Sequence, residues 1–196
     1  SKDGVFDFGY WLFQDRLLPT ATAAHKVSVS AFNLYTIFFR IDYTPDNIKT
    51  FGMPLTLIAT PLFMVTSIYG LIYVRKRRFQ EINVYETLFI TSFGTYLFLT
   101  NMLERYFFPA FVPLLLVCLI KPKHIKYLLL INLAVFANVI HSFFRRKYGI
   151  VADFFSANNF IVIRTLSLLS VISYTLIVKN IALNHQKILK TSQKRH

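Results

Sequence analysis

Long apolar stretches separated by clusters of Lys and Arg constrain the fold of this 196-residue chain more than any other feature. An α-helix rises 1.5 Å per residue, so about 20 apolar residues cross the roughly 30 Å hydrocarbon core of a bilayer. Spanning segments must satisfy their own backbone polar groups, which favours helices. The sequence therefore predicts an all-α fold, a polytopic transmembrane helix bundle with about five spanning helices, at 53–74, 84–101, 106–120, 127–143 and 160–178.

Composition supports a membrane protein and argues against a soluble one. The hydrophobic fraction is 55%, and the net charge of +13 comes from basic residues clustered between the apolar stretches. Such clusters are typical of anchors that face anionic headgroups, so we expect the lipid bilayer as a partner and no nucleic acid. The single cysteine, Cys118, lies in an apolar stretch and cannot form an internal disulfide. We predict no metal site and no cofactor.

The pattern divides the chain into three parts. Residues 1–52 are predicted to be an extracytoplasmic interfacial segment with aromatic side chains at headgroup depth. Within it, the 13 apolar residues of 28–40 are too few to cross, so they predict a short interfacial or re-entrant helix. Residues 53–178 form the predicted transmembrane bundle of five spans, and residues 179–196 a basic cytoplasmic tail.

The distribution of basic residues predicts the orientation. The basic loops 75–82 and 121–126 and the basic tail are assigned to the cytoplasm. The loop 144–159, which is also basic, goes against the alternation, but two loops and the tail outweigh it. Glu86 falls at the cytoplasmic end of its stretch, within reach of water or the cluster at 75–78. The Lys-, Ile- and Phe-rich composition favours an AT-rich genome, and we expect a multi-pass protein of a prokaryotic plasma membrane with a cytoplasmic C-terminus.

An acid and a base, Glu104 and Arg105, separate two apolar stretches on the predicted outer face. Charged residues at such positions are costly and need a partner, a wet cavity or a ligand. A guanidinium is always charged and forks onto phosphate oxygens, so Arg105 is a candidate phosphate-binding residue. Glu104 would orient the guanidinium or accept a ligand hydroxyl. The alternative is an ion pair that staples a tight turn between two helices, and the residues alone leave both interpretations open.

Two segments resemble motifs of the GT-C type membrane glycosyltransferases, which include the dolichyl-phosphate-mannose–protein-mannosyltransferase-like enzymes. Residues 102–109, Met-Leu-Glu-Arg-Tyr-Phe-Phe-Pro, are similar to the family's Met-His-Glu-Arg-Tyr-x-x-Pro. Residues 28–35, Ser-Val-Ser-Ala-Phe-Asn-Leu-Tyr, resemble its Ser-Val-Asn-Ala-x-Asn-Leu-Trp. The family's His is replaced by Leu103, its first Asn by Ser30 and its Trp by Tyr35. The chain thus resembles the C-terminal half of such an enzyme.

This resemblance implies a function. The family moves a sugar from a polyprenyl-phosphate carrier to an acceptor at the extracytoplasmic face. Its catalytic acid lies in an early outer loop without a counterpart here, so no catalytic residue is assigned to this chain, and the remaining N-terminal half of the protein would be a partner. The partner ligand implied is a polyprenyl-phosphate-linked sugar. We assign substrate or phosphate binding to six residues: Arg105, Glu104, Tyr106, Asn33, Arg145 and Arg164.

Three of these residues have structural alternatives. Arg145 lies in a basic run that lipid headgroups can solvate, and Arg164 can extend its side chain to the outer interface. Asn33 either bonds to substrate or joins helices by hydrogen bonds. The alternative for the whole chain is a non-catalytic membrane protein that binds or scaffolds the lipid-linked sugar machinery. The missing acid and the replacement of the motif His by Leu103 favour this second hypothesis.

Overall fold

The computed structural model describes residues 26–41, 43–77 and 80–193, the last ten of these as backbone only. These residues form a bundle of α-helices, which confirms the predicted fold class. The helices are α1 (Leu55–Lys76), α2 (Glu81–Phe98), α3 (Phe108–Ile120), α4 (Ile125–Phe144) and α5 (Gly149–Gln193). Half of the predicted interfacial segment 1–52, residues 1–25 and 42, lies outside the described residues.

Three segments of the described chain are long and apolar enough to cross a membrane, namely Leu55–Lys76, Pro122–Phe144 and Gly149–Leu183. They fit a membrane protein, but the prediction of five spanning helices is wrong. Helix α3 has 13 residues, about 20 Å of helix, which is short of the hydrocarbon thickness. Helix α2 has 18 residues and carries Glu81 and Glu86. Its apolar residues face other helices, with half of the helix buried.

Helix α2 is the centre of the bundle, and aromatic side chains surround it. Phe93 is fully buried and packs edge-on against Phe107, with ring centroids 5.4 Å apart, and against Tyr174 at 5.8 Å. A Cβ atom at Gly94 would lie 2.8 Å from the Thr66 hydroxyl of α1 and 3.0 Å from the Tyr174 hydroxyl of α5. The missing side chain therefore allows both helices to approach α2 closely, as small residues commonly do in membrane bundles.

The predicted helix at 28–40 is wrong. The structure has only a four-residue 3₁₀ helix there, Leu34–Ile37, and the chain before it is not helical. Asn33 stops a helix from extending towards the N-terminus, because its extended backbone and side-chain cap define the start of the turn. Ala31, Phe32 and Asn33 of this segment are almost fully buried among the helices.

A two-residue antiparallel ladder, β1 (Lys49–Thr50) with β2 (Met53–Pro54), leads into α1. Its turn residues Phe51 and Gly52 both have positive φ, 55° and 79°. This matches the geometry that two-residue hairpins require. The prediction of a polar loop before the first span is thus correct, with a tight hairpin added.

Helix α5 is broken near its start. Asn158, Asn159 and Phe160 have φ of 47°, 58° and 61°, and Ala157 is extended. The predicted start of this span at residue 160 coincides with the break. On the other side the helix continues to Gln193, through most of the sequence predicted as a tail. The segment from Gly149 to the break is helical, although the sequence predicted a loop there.

Successive helices run in opposite directions, which gathers the connections at two ends. We call the end formed by residues 26–54, 99–107 and 141–167 the loop end. Contacts between Phe32 and both His141 and Phe155, with ring centroids 5.5 and 6.0 Å apart, hold this end together. The opposite end carries the basic clusters at 75–77 and 121–126.

Candidate functional site

The two motif-like segments, with 66 residues between them in the chain, contact each other at the loop end. The Met102 carbonyl accepts hydrogen bonds from three successive backbone N–H groups, those of Val29 (3.2 Å), Ser30 (3.3 Å) and Ala31 (3.3 Å). The N–H of Asn101 donates back to the Lys26 carbonyl at 3.1 Å. The backbone just before Glu104 is therefore held by hydrogen bonds to residues 26–36, which we call the upstream segment, rather than by hydrogen bonds within a helix.

The Asn33 side chain is fully buried and its polar atoms are engaged. Its amide oxygen accepts from the backbone N–H groups of Tyr35 (3.1 Å) and Thr36 (3.4 Å), and its amide nitrogen donates to the Leu99 carbonyl at 3.4 Å. These contacts match the alternative interpretation, in which Asn33 joins elements of the fold. Asn33 supports the site by holding residues 99–102 against the upstream segment.

Tyr35 strengthens the same contact. Its hydroxyl donates to the Phe98 carbonyl at 2.6 Å, at the end of α2. Burial raises the pKa of the Tyr35 phenol well above its ordinary value. The hydroxyl therefore stays a neutral donor, and it satisfies one of the carbonyls left open where a helix ends.

A buried network under the two segments was not predicted from the sequence. The Tyr96 hydroxyl of α2 accepts from the Phe32 N–H at 3.1 Å. In the amide orientation that satisfies both ends of Asn138 in α4, its oxygen accepts from Tyr96 at 2.8 Å and its nitrogen donates to the Ser30 carbonyl at 2.5 Å. The network links α2, α4 and the upstream segment. The sequence shows Tyr96 and Asn138 as polar residues inside apolar stretches, but their spacing does not indicate that they contact each other.

Glu104, Arg105 and Tyr106 lie on a short 3₁₀ helix, Glu104–Phe107, which precedes α3. Phe107 is buried and anchors this turn, while Arg105 is exposed and Tyr106 is 38% exposed. The Arg105 guanidinium carbon lies 5.8 Å from the centre of the Tyr106 ring, within the range of a cation–π contact. Arg105 thus presents its charge to the outside of the loop end, where a ligand phosphate has access.

Arg164 lies on α5, one turn before Ser167, whose hydroxyl is 2.7 Å from that of Thr36 in the upstream segment. Its Nε atom is buried without a hydrogen-bond partner, and so are Asn101 Oδ1, His141 Nδ1 and Ser142 Oγ. Buried polar atoms usually have partners. All four lie at the loop end, but Arg77 Nε and both ring nitrogens of His124 at the opposite end are also buried without partners, so such atoms alone do not distinguish the two ends.

Arg145 follows the last residue of α4, and its backbone N–H donates to the His141 carbonyl at 3.2 Å. Arg105, Arg145 and Arg164 therefore belong to the same end of the bundle, on three different elements. Ser167, three residues after Arg164, and Met102, three residues before Arg105, both contact the segment that carries Asn33.

The opposite end contains a buried ion pair. Glu86 in α2 is fully buried, and one of its carboxylate oxygens lies 2.6 Å from the Lys121 ammonium. The other accepts from the Tyr73 hydroxyl of α1 at 2.5 Å. The sequence predicted that Glu86 would reach water or the cluster at 75–78, whereas in the structure it is fully buried and pairs with Lys121, a lysine of the second basic cluster.

Within the described part of the chain, no group of three or more His, Cys, Asp or Glu side chains could hold a metal ion. No protein-family model, curated protein or solved structure matches the chain. The fold and composition define the class of protein, a helical membrane protein with three helices suited to crossing the bilayer.

Proposed function

We propose that this chain is the C-terminal part of an integral-membrane glycosyltransferase similar to the GT-C type. It would move a sugar from a polyprenyl-phosphate carrier to an acceptor at the extracytoplasmic face. The contact between the two motif-like segments carries the proposal. They resemble two motifs of one family, and three backbone hydrogen bonds to the Met102 carbonyl join them next to Arg105.

In this reaction Arg105 would stabilise the negative charge that develops on the leaving phosphate. When the bond between the anomeric carbon and the carrier phosphate breaks, its electron pair stays on the phosphate oxygen, and negative charge grows there. A preorganised cation at that oxygen stabilises the transition state more than the ground state. The exposed Arg105 rests on the Tyr106 ring, and its backbone is anchored by Phe107 and Met102. Glu104 would orient the guanidinium or accept a hydrogen bond from a sugar hydroxyl.

The other proposed residues would complete the phosphate environment. Arg145 and Arg164 belong to the loop end, as Arg105 does, and the Arg164 Nε has no partner within the protein. The base that removes the proton from the acceptor would come from the remaining N-terminal half. In this orientation the loop end is extracytoplasmic, the basic opposite end and the C-terminus are cytoplasmic, and the membrane is a prokaryotic plasma membrane.

The second candidate function is a non-catalytic membrane protein that binds or scaffolds the lipid-linked sugar machinery. Two observations favour it. Leu103 replaces the His of the resembled motif, and the amide of Asn33 is fully used inside the fold. In this case Arg105 would hold a phosphate, but no sugar would leave the carrier.

The test measures sugar transfer from a polyprenyl-phosphate-linked hexose by the full-length protein in membrane vesicles. Arg105→Ala is expected to lower the rate by about 10²–10³-fold, the usual cost of losing one such contact. Arg105→Lys should recover part of the loss, since it restores the charge but not the fork. Lys126→Ala is the matched control. The Lys126 ammonium lies 5.0 Å from the centre of the Tyr127 ring, a contact like that of Arg105 with Tyr106, but at the opposite end of the bundle.

The outcomes separate the two functions. Unchanged transfer in Arg105→Ala, with normal protein levels, would overturn the assignment of Arg105. Wild-type protein that binds the donor through Arg105 but transfers no sugar would favour the non-catalytic function.

A further inference from the structure

An apolar groove of about 440 Å³ runs between α4 and the start of α5. Its walls include Leu133, Phe136 and Ile140 from α4 and Ile150, Val151 and Phe154 from α5. Several of these side chains are open to the surroundings, Ile150 by 80% and Phe136 by 65%. Both walls belong to segments apolar enough to cross a membrane. Hydrocarbon chains therefore have direct access to the groove.

A basic turn closes one end of this groove. Residues 145–147, Arg-Arg-Lys, connect the two helices that form the walls. Hydrogen bonds from the N–H groups of Lys147 (3.0 Å) and Tyr148 (2.9 Å) to the Phe144 carbonyl keep the turn tight. Arg146 and Lys147 are exposed. Arg145 follows the groove residue Ile140 by five positions, about 7.5 Å along a helix, so charge and groove are adjacent.

A further observation places this turn at headgroup level. Exposed aromatic residues flank it, namely Phe143, Phe144 and Tyr148, and aromatic residues concentrate where a membrane meets water. Two exposed cations, Arg146 and Lys147, thus lie beside the groove at the depth of lipid phosphates.

We propose that the groove and the basic turn together bind an anionic phospholipid of the bilayer. One acyl chain would lie in the groove between α4 and α5. The phosphate would accept hydrogen bonds from Arg146 and Lys147. Charge favours an anionic lipid over a zwitterionic one, since residues 140–159 contain three basic residues and one acidic residue, the exposed Asp153. This site does not depend on the proposed sugar transfer.

Native mass spectrometry of the full-length protein can measure the first bound lipid during titration with phosphatidylglycerol or phosphatidylcholine. The wild type is expected to bind phosphatidylglycerol at least tenfold more tightly. Arg146→Gln/Lys147→Gln should weaken that binding about thirtyfold, since each cation near a membrane surface contributes about 1 kcal/mol. The matched control is Lys123→Gln/Lys126→Gln, two exposed cations at the opposite end, which should leave the binding unchanged.

A second pair of variants tests the groove itself. Val151→Trp fills the groove without altering the charge and should weaken phosphatidylglycerol binding about tenfold. Leu119→Trp is its control, because Leu119 is an apolar residue of α3 that is 70% exposed and lies outside the groove.

Several results would overturn the proposal. The first is equal binding of phosphatidylglycerol and phosphatidylcholine, and the second is unchanged phosphatidylglycerol binding in Arg146→Gln/Lys147→Gln. The third is unchanged binding in Val151→Trp, which would show that the turn makes only a nonspecific headgroup contact. Displacement of phosphatidylglycerol by an equimolar amount of polyprenyl phosphate would assign the groove to the sugar carrier instead. Arg105→Ala should not alter phosphatidylglycerol binding, so failure of the sugar-transfer proposal and failure of this lipid site are separate results.

Discussion

Replacing Lys121 with Met should destabilise the protein strongly, because it leaves a buried carboxylate without its counter-ion. Glu86 is 0% exposed, and its two short contacts are the Lys121 ammonium at 2.6 Å and the Tyr73 hydroxyl at 2.5 Å. Removing one partner of a buried pair costs about 3–5 kcal/mol. Lys121 is 28% exposed, so water screens part of the pair, and we expect about 3 kcal/mol, at the low end of that range.

A second substitution, in Glu86, should restore most of the stability that Lys121→Met removes. Glu86→Gln combined with Lys121→Met removes both charges and retains a hydrogen-bond acceptor for Tyr73. The double variant should therefore recover to within about 1 kcal/mol of the wild type, since replacing a buried ion pair as a whole is often nearly neutral. Such non-additivity is the mark of two groups in direct contact.

The assay is the free energy of unfolding in detergent micelles, followed by far-ultraviolet circular dichroism during denaturant titration. Lys123→Met is the matched control, because Lys123 lies two residues away and is exposed. It should change the free energy by less than about 0.5 kcal/mol. If Lys121→Met were no more damaging than Lys123→Met, Glu86 would not depend on Lys121, and the buried pair would have no energetic role.

Two further predictions concern the packing around α2. Gly94→Ala should destabilise the bundle by about 1–3 kcal/mol, since the added Cβ would lie 2.8 Å from the Thr66 hydroxyl, whereas Gly149→Ala meets nothing within 4 Å and should be nearly neutral in the same titration. Tyr96→Phe should cost about 1–3 kcal/mol, because it leaves the buried amide of Asn138 without one partner. A Tyr96→Phe protein as stable as the wild type would show that the network under the upstream segment contributes nothing.

The three candidate spans could be predicted from the sequence because long apolar length is a local property. The first span was expected at 53–74 and is found at Leu55–Lys76, and the predicted 127–143 corresponds to Ile125–Phe144. The predicted start of the last span at residue 160 falls on the break in α5. In each case the signal lies within the segment itself, and neighbouring helices do not alter it.

The errors have separate physical causes. Helix α2 has the length of a span, but it carries Glu81, Glu86 and several hydroxyl side chains and is not among the segments apolar enough to cross a membrane. Helix α3 has only 13 residues, which are too few to cross. Residues 28–40 were expected to be helical by composition, but a side-chain cap at Asn33 and hydrogen bonds to Met102 determine the backbone of residues 29–36. The cap is local, whereas Met102 lies about 70 residues away, beyond any local pattern.

The candidate functional site also combines features that the sequence predicts with features that depend on the tertiary structure. The sequence by itself determined that this is a helical membrane protein and that Glu104 and Arg105 interrupt its apolar stretches, because hydropathy and charge are read residue by residue. Only the tertiary structure decided that residues 28–35 lie against Met102, that Glu86 pairs with Lys121, and that a basic turn closes an apolar groove. Each of these is a contact between distant segments, and contacts of that kind exist only after the helices have packed.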